Sequence, residues 1–232
     1  MRPRLYQIPF SHNCVKVRCA LERKGIAYDL VDVDPMRRAP VVAATGQPRV
    51  PALVDGDRAM ADSTAILLHL EERWPEPGLL PEDPDERAEC LLLEDWADRA
   101  FMALSRRLAY WRVLQLPGVL ERMFLPRVRG LRRRMLARAA RRAVVRRFRL
   151  SAARNACDEA EAREAARLAE LRRGGREFLV GASLTIADVA LAAMSVPLHA
   201  SSNAVREDEH VRSLLAWGEG VLGEETVAIY RR

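Results

Sequence analysis

Hydrophobic positions along the first 85 residues switch between a period of two and the spacing of a helix. Arg4 to Ile8 is short and extended and stops at Pro9. From His12 to Lys24 the apolar residues Val15, Val17, Ala20 and Leu21 fall close to helical spacing, and Gly25 follows as a stop. Ala27 to Asp34 alternates through Tyr28, Leu30, Val31 and Val33, which predicts a second strand. Pro51 to Val54, the turn Asp55-Gly56-Asp57 and Arg58 to Met60 form a compact hairpin signal. A helix over Ser63 to Arg73 ends ahead of Pro75. The order β-α-β, a connecting segment, then β-β-α is that of an α/β thioredoxin-like domain, βαβαββα in full, assigned to residues 1–75.

Pro75, Pro77, Pro81 and Pro84 crowd the next stretch, so residues 76–85 read as a linker. Strand signals stop there, and residues 86–232 read as an all-α helical domain. Asp85 to Trp111 sets Leu91, Leu92 and Trp96 beside Asp95 and Arg99, and a break falls at Leu116-Pro117-Gly118. Over 127–149, Val128, Leu131, Met135, Ala139, Ala143, Val144 and Phe148 predict an amphipathic helix whose other faces are arginine. A charged helix from Asp158 to Leu171 closes at Gly174-Gly175.

With 49% hydrophobic and 30% charged residues in 232, the chain has the make-up of a folded, soluble protein able to bury a core. No apolar run reaches the roughly 18 residues of a bilayer span. A strand signal that begins within a few residues of Met1 leaves no room for a signal peptide, so the expected compartment is cytoplasmic. Cys14, Cys19, Cys90 and Cys157 lack the spacing of a metal site or a disulfide framework, so free thiols and no metal are expected. The net charge of +6 is almost wholly arginine, since Lys16 and Lys24 are the only lysines. Arginine enrichment of this kind needs no nucleic-acid partner, and a GC-rich genome accounts for it. Its placement changes the picture: eleven arginines and no acid stand between Arg127 and Arg149, while Cys157 to Glu170 is acid-rich.

Candidate chemistry lies in three separated pieces. The first is Ser11-His12-Asn13-Cys14 at the start of the first helix. Free N–H groups and the positive end of the helix dipole gather there and stabilise an anionic sulfur. A serine hydroxyl donating to a thiolate contributes about 1.5–3 kcal/mol. That lowers a thiol pKa by roughly one to two units, at about 1.4 kcal/mol per unit. Alone, Ser11 also reads as an ordinary helix cap. The second piece is Arg49-Val50-Pro51-Ala52-Leu53, a Val-Pro leading into a strand. In a thioredoxin-like domain Pro51 is expected to be cis, offering the Val50 backbone to a peptide-like thiol; otherwise it is a trans proline opening an edge strand. The third is Asp62-Ser63-Thr64, a helix cap whose hydroxyl and N–H groups can receive a carboxylate.

In order and separation these pieces resemble glutathione S-transferases of the bacterial serine type. Leu184-Thr185-Ile186-Ala187-Asp188-Val189 resembles the capping box of that family's second domain, with Leu184 against Val189 as a hydrophobic staple. The resemblance implies that Ser11 contacts the glutathione sulfur and that Val50 pairs with the cysteinyl backbone beside Pro51. It implies that Asp62 and Ser63 hold the γ-glutamyl end and that Arg49 reaches the glycine carboxylate. The stretches Ser11 to Arg18 and Val33 to Ala39 also look like the glutaredoxin-like prostaglandin E synthase branch. That branch has Cys-x-x-Cys where this chain has Ser11-x-x-Cys14, so the attacking cysteine is missing and Cys14 remains as a secondary thiol. Phe10, His12, Tyr110 and Trp111 are the candidate substrate pocket, and Trp96 is expected to be core.

The leading expectation is an enzyme that holds glutathione, its co-substrate, as a thiolate at Ser11 and adds it to an electrophilic apolar small molecule. Glutathione-dependent isomerase or reductase chemistry on peroxides or quinones is the alternative, and a non-catalytic binding or scaffold module a third. The family habit implies a homodimer. The arginine helix reads as a solvated face partly paired with the acids of 158–170, and it allows weak adsorption to a membrane surface or a polyanion. No specific nucleic-acid binding is expected.

Overall fold

A computed structural model describes residues 2–125 and 127–223. The first and last residues of the expected domains, Met1 and 224–232, lie outside the described residues. The N-terminal part contains β1 (Arg4–Gln7), α1 (His12–Arg23), β2 (Asp29–Asp32), α2 (Ala39–Thr45), β3 (Ala52–Asp55), β4 (Arg58–Met60) and α3 (Ser63–Arg73). The strands form one sheet in the order β2-β1-β3-β4. Strand β1 runs parallel to β2, pairing Leu5 with Leu30, and antiparallel to β3, pairing Leu5 with Leu53. This is the thioredoxin-like arrangement that the sequence predicts.

Side-chain alternation along the central strands splits the core into two layers. Leu5 and Leu53 point toward α1 and α3, packing with Val15, Val17, Ile66 and Leu70. Their neighbours Tyr6 and Ala52 face the other way and meet Val41 of α2. The β3–β4 turn needs a left-handed residue, which Gly56 supplies at φ 58°. Asp62 caps α3, its carboxylate accepting from the Ala65 N–H at 3.1 Å. Helix α2, which the sequence leaves as a connecting segment, has Pro40 in its first turn and buries only Val41.

Helices make up the remainder: α4 (Pro84–Trp96), α5 (Met102–Gln115), α6 (Val119–Phe124), α7 (Gly130–Phe148), α8 (Ala152–Arg173), α9 (Ile186–Ser195), α10 (Asn203–Arg206) and α11 (Glu209–Leu222). The helix predicted over 85–111 runs on to Gln115, with a wider π-helical turn at Ala97–Phe101 joining α4 to α5. Every residue of α9 is buried, so it needs no polar face. It lies among α1, α4 and α11 and thereby ties the helical part to the sheet part. At its start the Asp188 carboxylate accepts from Thr185 N–H (2.8 Å), Thr185 Oγ1 (2.7 Å) and Leu179 N–H (2.8 Å). Leu184 packs on the same cluster as Val189.

The proline-rich stretch between α3 and α4 is held by buried Lys24. Its ammonium donates to the carbonyls of Trp74 (2.7 Å) and Pro77 (2.6 Å) and pairs with Glu71 at 2.7 Å. Among the described residues no helix is long and apolar enough to cross a membrane.

Candidate thiol site

Ser11 is the residue just ahead of α1, with extended backbone (φ −85°, ψ 116°) and a side chain that caps no helix N–H. The simple capping role is thus not how its hydroxyl is used. Instead it lies near enough to the Cys14 thiol to act on its ionisation. Burial pushes Cys14 up, and the Ser11 hydroxyl, the Ile8 backbone and the charges of Arg18 and Arg38 pull it part of the way back. Cys14 is 0% exposed, so the thiol that sequence reasoning keeps as a secondary nucleophile is sealed inside. The same Arg18 and Arg38 charges and the α1 dipole act on any anion placed at the partly exposed Ser11 hydroxyl.

His12 follows Ser11 into the first turn. It is 9% exposed, its Nε2 has no hydrogen-bond partner, and burial together with the Arg106 charge lowers its pKa to about 3. A base that weak is neutral at pH 7 and a poor proton acceptor for a thiol near neutrality.

The Val50–Pro51 peptide is cis, as expected. Among the described residues, the Val50 N–H and C=O make no backbone hydrogen bond, so both are free to pair with an extended ligand. Arg49 is exposed beside them and bonds Gln47, whose Oε1 accepts from its N–H at 2.7 Å and its Nε at 3.3 Å. Ser63 is buried at the start of α3, with its hydroxyl donating to Asp98 Oδ2 at 3.3 Å.

That last contact belongs to a network that sequence reasoning missed. The Lys16 ammonium, 0% exposed, pairs with Glu94 and with Asp98 at 2.9 Å, while Thr64 Oγ1 donates to Glu94 at 2.7 Å. It links α1 and α3 to α4 directly behind the candidate site. The only signal in the sequence was a lone lysine on an apolar helix.

The pocket residues are brought together differently from expectation. Phe10 touches Phe124 edge-on at 5.9 Å, Tyr110 stacks on Phe124 at 6.3 Å and on Phe148 at 4.7 Å. Arg106 lies over the Phe148 ring at 4.9 Å and, among the described residues, forms no ion pair. Trp111 sits in the same aromatic cluster, partly buried. Trp96 stacks against Phe101 at 5.6 Å as core. Side chains of α6 and α7 therefore line the wall beside Ser11, and neither Phe124 nor Phe148 was foreseen there.

A sheet of this order with a cis proline opening β3, a serine at the first helix start and an all-helical second part define a glutathione S-transferase fold. Residues 5–78, about a third of the chain, match the family model described as Glutathione S-transferase, N-terminal domain. The chain is 41% identical over 92 residues to maleylacetoacetate isomerase of Pseudomonas aeruginosa, which is 37% of this chain and 43% of that protein. It is 38% identical over 89 residues to glutathione S-transferase Z1 of Arabidopsis thaliana, 37% of this chain and 40% of the relative. The chain thus spans about two fifths of the length of the curated relatives it matches. Across its whole length it superposes on human glutathione S-transferase T1-1 (W234R, apo) with a TM-score of 0.72 and 21% identity, covering 99% of this chain and 89% of that one, a likeness of fold.

Proposed function

We propose that this protein is a glutathione transferase-like enzyme in which the Ser11 hydroxyl donates to the sulfur of bound glutathione and keeps it as a thiolate. The observation that carries the reading is the Ser11 hydroxyl at the α1 N-terminus, free of any capping bond and near enough to the Cys14 sulfur to favour its ionised form. The site residues fit the ligand: the unpaired Val50 backbone matches a peptide-like cysteinyl unit, and Asp62 with Ser63 offers a helix start for the γ-glutamyl end. Arg49, exposed beside Val50, is within the same loop for the glycine carboxylate. Glutathione supplies the nucleophile; the protein supplies orientation and a positive field, and the thiol proton leaves to water because His12 is too weak a base. The thiolate attacks an electrophilic small molecule against the wall of Phe10, Tyr110 and Phe124, with Trp111 behind it.

A glutathione-dependent isomerisation is the second reading, favoured by the 41% identity to maleylacetoacetate isomerase over the N-terminal part. Thiolate addition is common to both, and expulsion of the same sulfur after bond rotation regenerates glutathione. Dithiol reduction is disfavoured because Cys14 is sealed and Ser11 stands where a Cys-x-x-Cys pair would have its first cysteine.

Immobilised glutathione is expected to retain the protein, and Ser63→Ala to abolish retention. With a chloronitroaromatic electrophile, conjugation consumes one thiol per turnover, whereas isomerisation of a cis-enone consumes none. Absence of retention together with absence of both activities would overturn the proposal in favour of a binding module.

A further inference from the structure

Helix α7 presents its two faces to quite different surroundings. Ala137, Ala140, Val144 and Phe148 turn inward onto α5 and α6 and anchor the helix. The outward stripe, spaced at i, i+4, i+7, i+11 and i+14, reads Leu131, Met135, Arg138, Arg142, Val145. Leu131 is 72% exposed and Met135 62%, although each is large and apolar. Arg142, Arg146, Arg147 and Arg149 surround an open depression at the other end.

Among the described residues no acid pairs with any arginine of 127–149. The acids expected to neutralise them are engaged elsewhere. Asp158 is held by Arg107 and Arg154, Glu164 by Arg167, and Glu170 by His210. The expectation of partial pairing across 158–170 is thereby corrected: these acids of α8 find counter-charges within α8 and on α5 and α11, so α7 keeps its positive field.

We infer that the outward face of α7 docks onto an anionic lipid surface, with Leu131 and Met135 entering the headgroup boundary and the arginines pairing with lipid phosphates. Charge complementarity selects an anionic partner. The choice of lipid over nucleic acid rests on the apolar pair. A helix with an arginine-rich face and large apolar residues at its edge lies in a membrane interface. A nucleic acid would leave Leu131 and Met135 in water, and Phe148, the aromatic ring of α7 that could stack on a base, is turned inward on Tyr110. Docking needs no unfolding, because the anchoring residues face away from the membrane. It is independent of the thiol site and of any activity assigned to it.

The test is co-sedimentation of the full chain with vesicles of phosphatidylcholine alone and with about one third phosphatidylglycerol, alongside anisotropy with a single-stranded RNA. Each arginine near an anionic surface is worth about fivefold in partition. The variant R138E/R142E/R146E is therefore expected to bind the anionic vesicles about 100-fold more weakly. Leu131→Ser with Met135→Ser is expected to lower vesicle partition by about tenfold while leaving the arginines in place. Circular dichroism and the urea midpoint verify that both variants are folded, and the apolar pair serves if the charge reversal is not. Equal partition onto both vesicle types, an apolar-pair variant with undiminished partition, or RNA binding without vesicle binding would each overturn the inference.

Discussion

Lys16 and the arginines of α7 put positive charge into opposite surroundings. Lys16 is fully buried and is met by Glu94 and Asp98, whose side chains are 3% and 17% exposed. Eleven arginines of 127–149 stand mostly in solvent, with no acid paired among the described residues. The difference follows from desolvation. A cation taken out of water costs several kcal/mol unless it is paired, whereas a hydrated one costs nothing and stays available to a partner. Arg106 falls between the two: half-buried, with no ion pair among the described residues, lying over the Phe148 ring and acting on His12. Its charge acts on His12, the residue after Ser11, as those of Arg18 and Arg38 act on Cys14, and a positive field there favours an anionic sulfur.

The largest expected effect breaks the buried side of this comparison. Lys16→Met strands Glu94 and Asp98 without their cation and is expected to lower stability by about 3–5 kcal/mol. Arg142→Met in α7, of similar shape change, is expected to leave the urea midpoint where it was. A second Glu94→Leu and third Asp98→Leu substitution added to Lys16→Met should recover most of the loss, because the apolar triad leaves no charge to desolvate. Equal midpoints for the two single variants would erase the distinction.

A smaller effect comes from His12. Its folded pKa of about 3 lies below the ordinary 6.5, so the unfolded chain takes up a proton first as pH falls. That contribution to stability is whole above pH 6.5 and declines as pH drops toward about 3, with a slope of at most about 1.4 kcal/mol per pH unit. Carboxylates held low add a slope of the same sign, so the informative quantity is a difference. His12→Asn is expected to show a shallower loss of stability between pH 6 and 4 than the unmodified protein in urea titrations. Parallel curves would mean that His12 is protonated in the folded state.

Local signals carried most of the fold. The Asp55 to Met60 hairpin, the Asp62 cap and the Thr185–Asp188 box are each decided by residues a few positions apart, and each forms where the sequence predicts. The same holds for the Val50–Pro51 peptide and for Ser11 at the α1 start. What was not legible depends on partners far apart in sequence. Lys16 pairs with residues of α4 across the junction, and nothing near it in the chain says so. Phe124 and Phe148 reach the wall beside Ser11 only because α6 and α7 fold back onto α5. The acids of α8 lay close enough in sequence to pair with α7, but Arg107, Arg154, Arg167 and His210 were nearer in space. The π-helical turn at Ala97–Phe101 has no propensity signature to find.

The central claim is that Ser11, not Cys14, sets the state of the bound sulfur. Its most direct test is the pH dependence of thiolate ultraviolet absorbance for glutathione bound to the protein. An apparent pKa roughly one to two units below that of a free thiol near 8.5 is expected, returned toward the free value by Ser11→Ala and unaffected by Cys14→Ala. An unchanged pKa in Ser11→Ala, or a loss of the bound thiolate in Cys14→Ala alone, would contradict it.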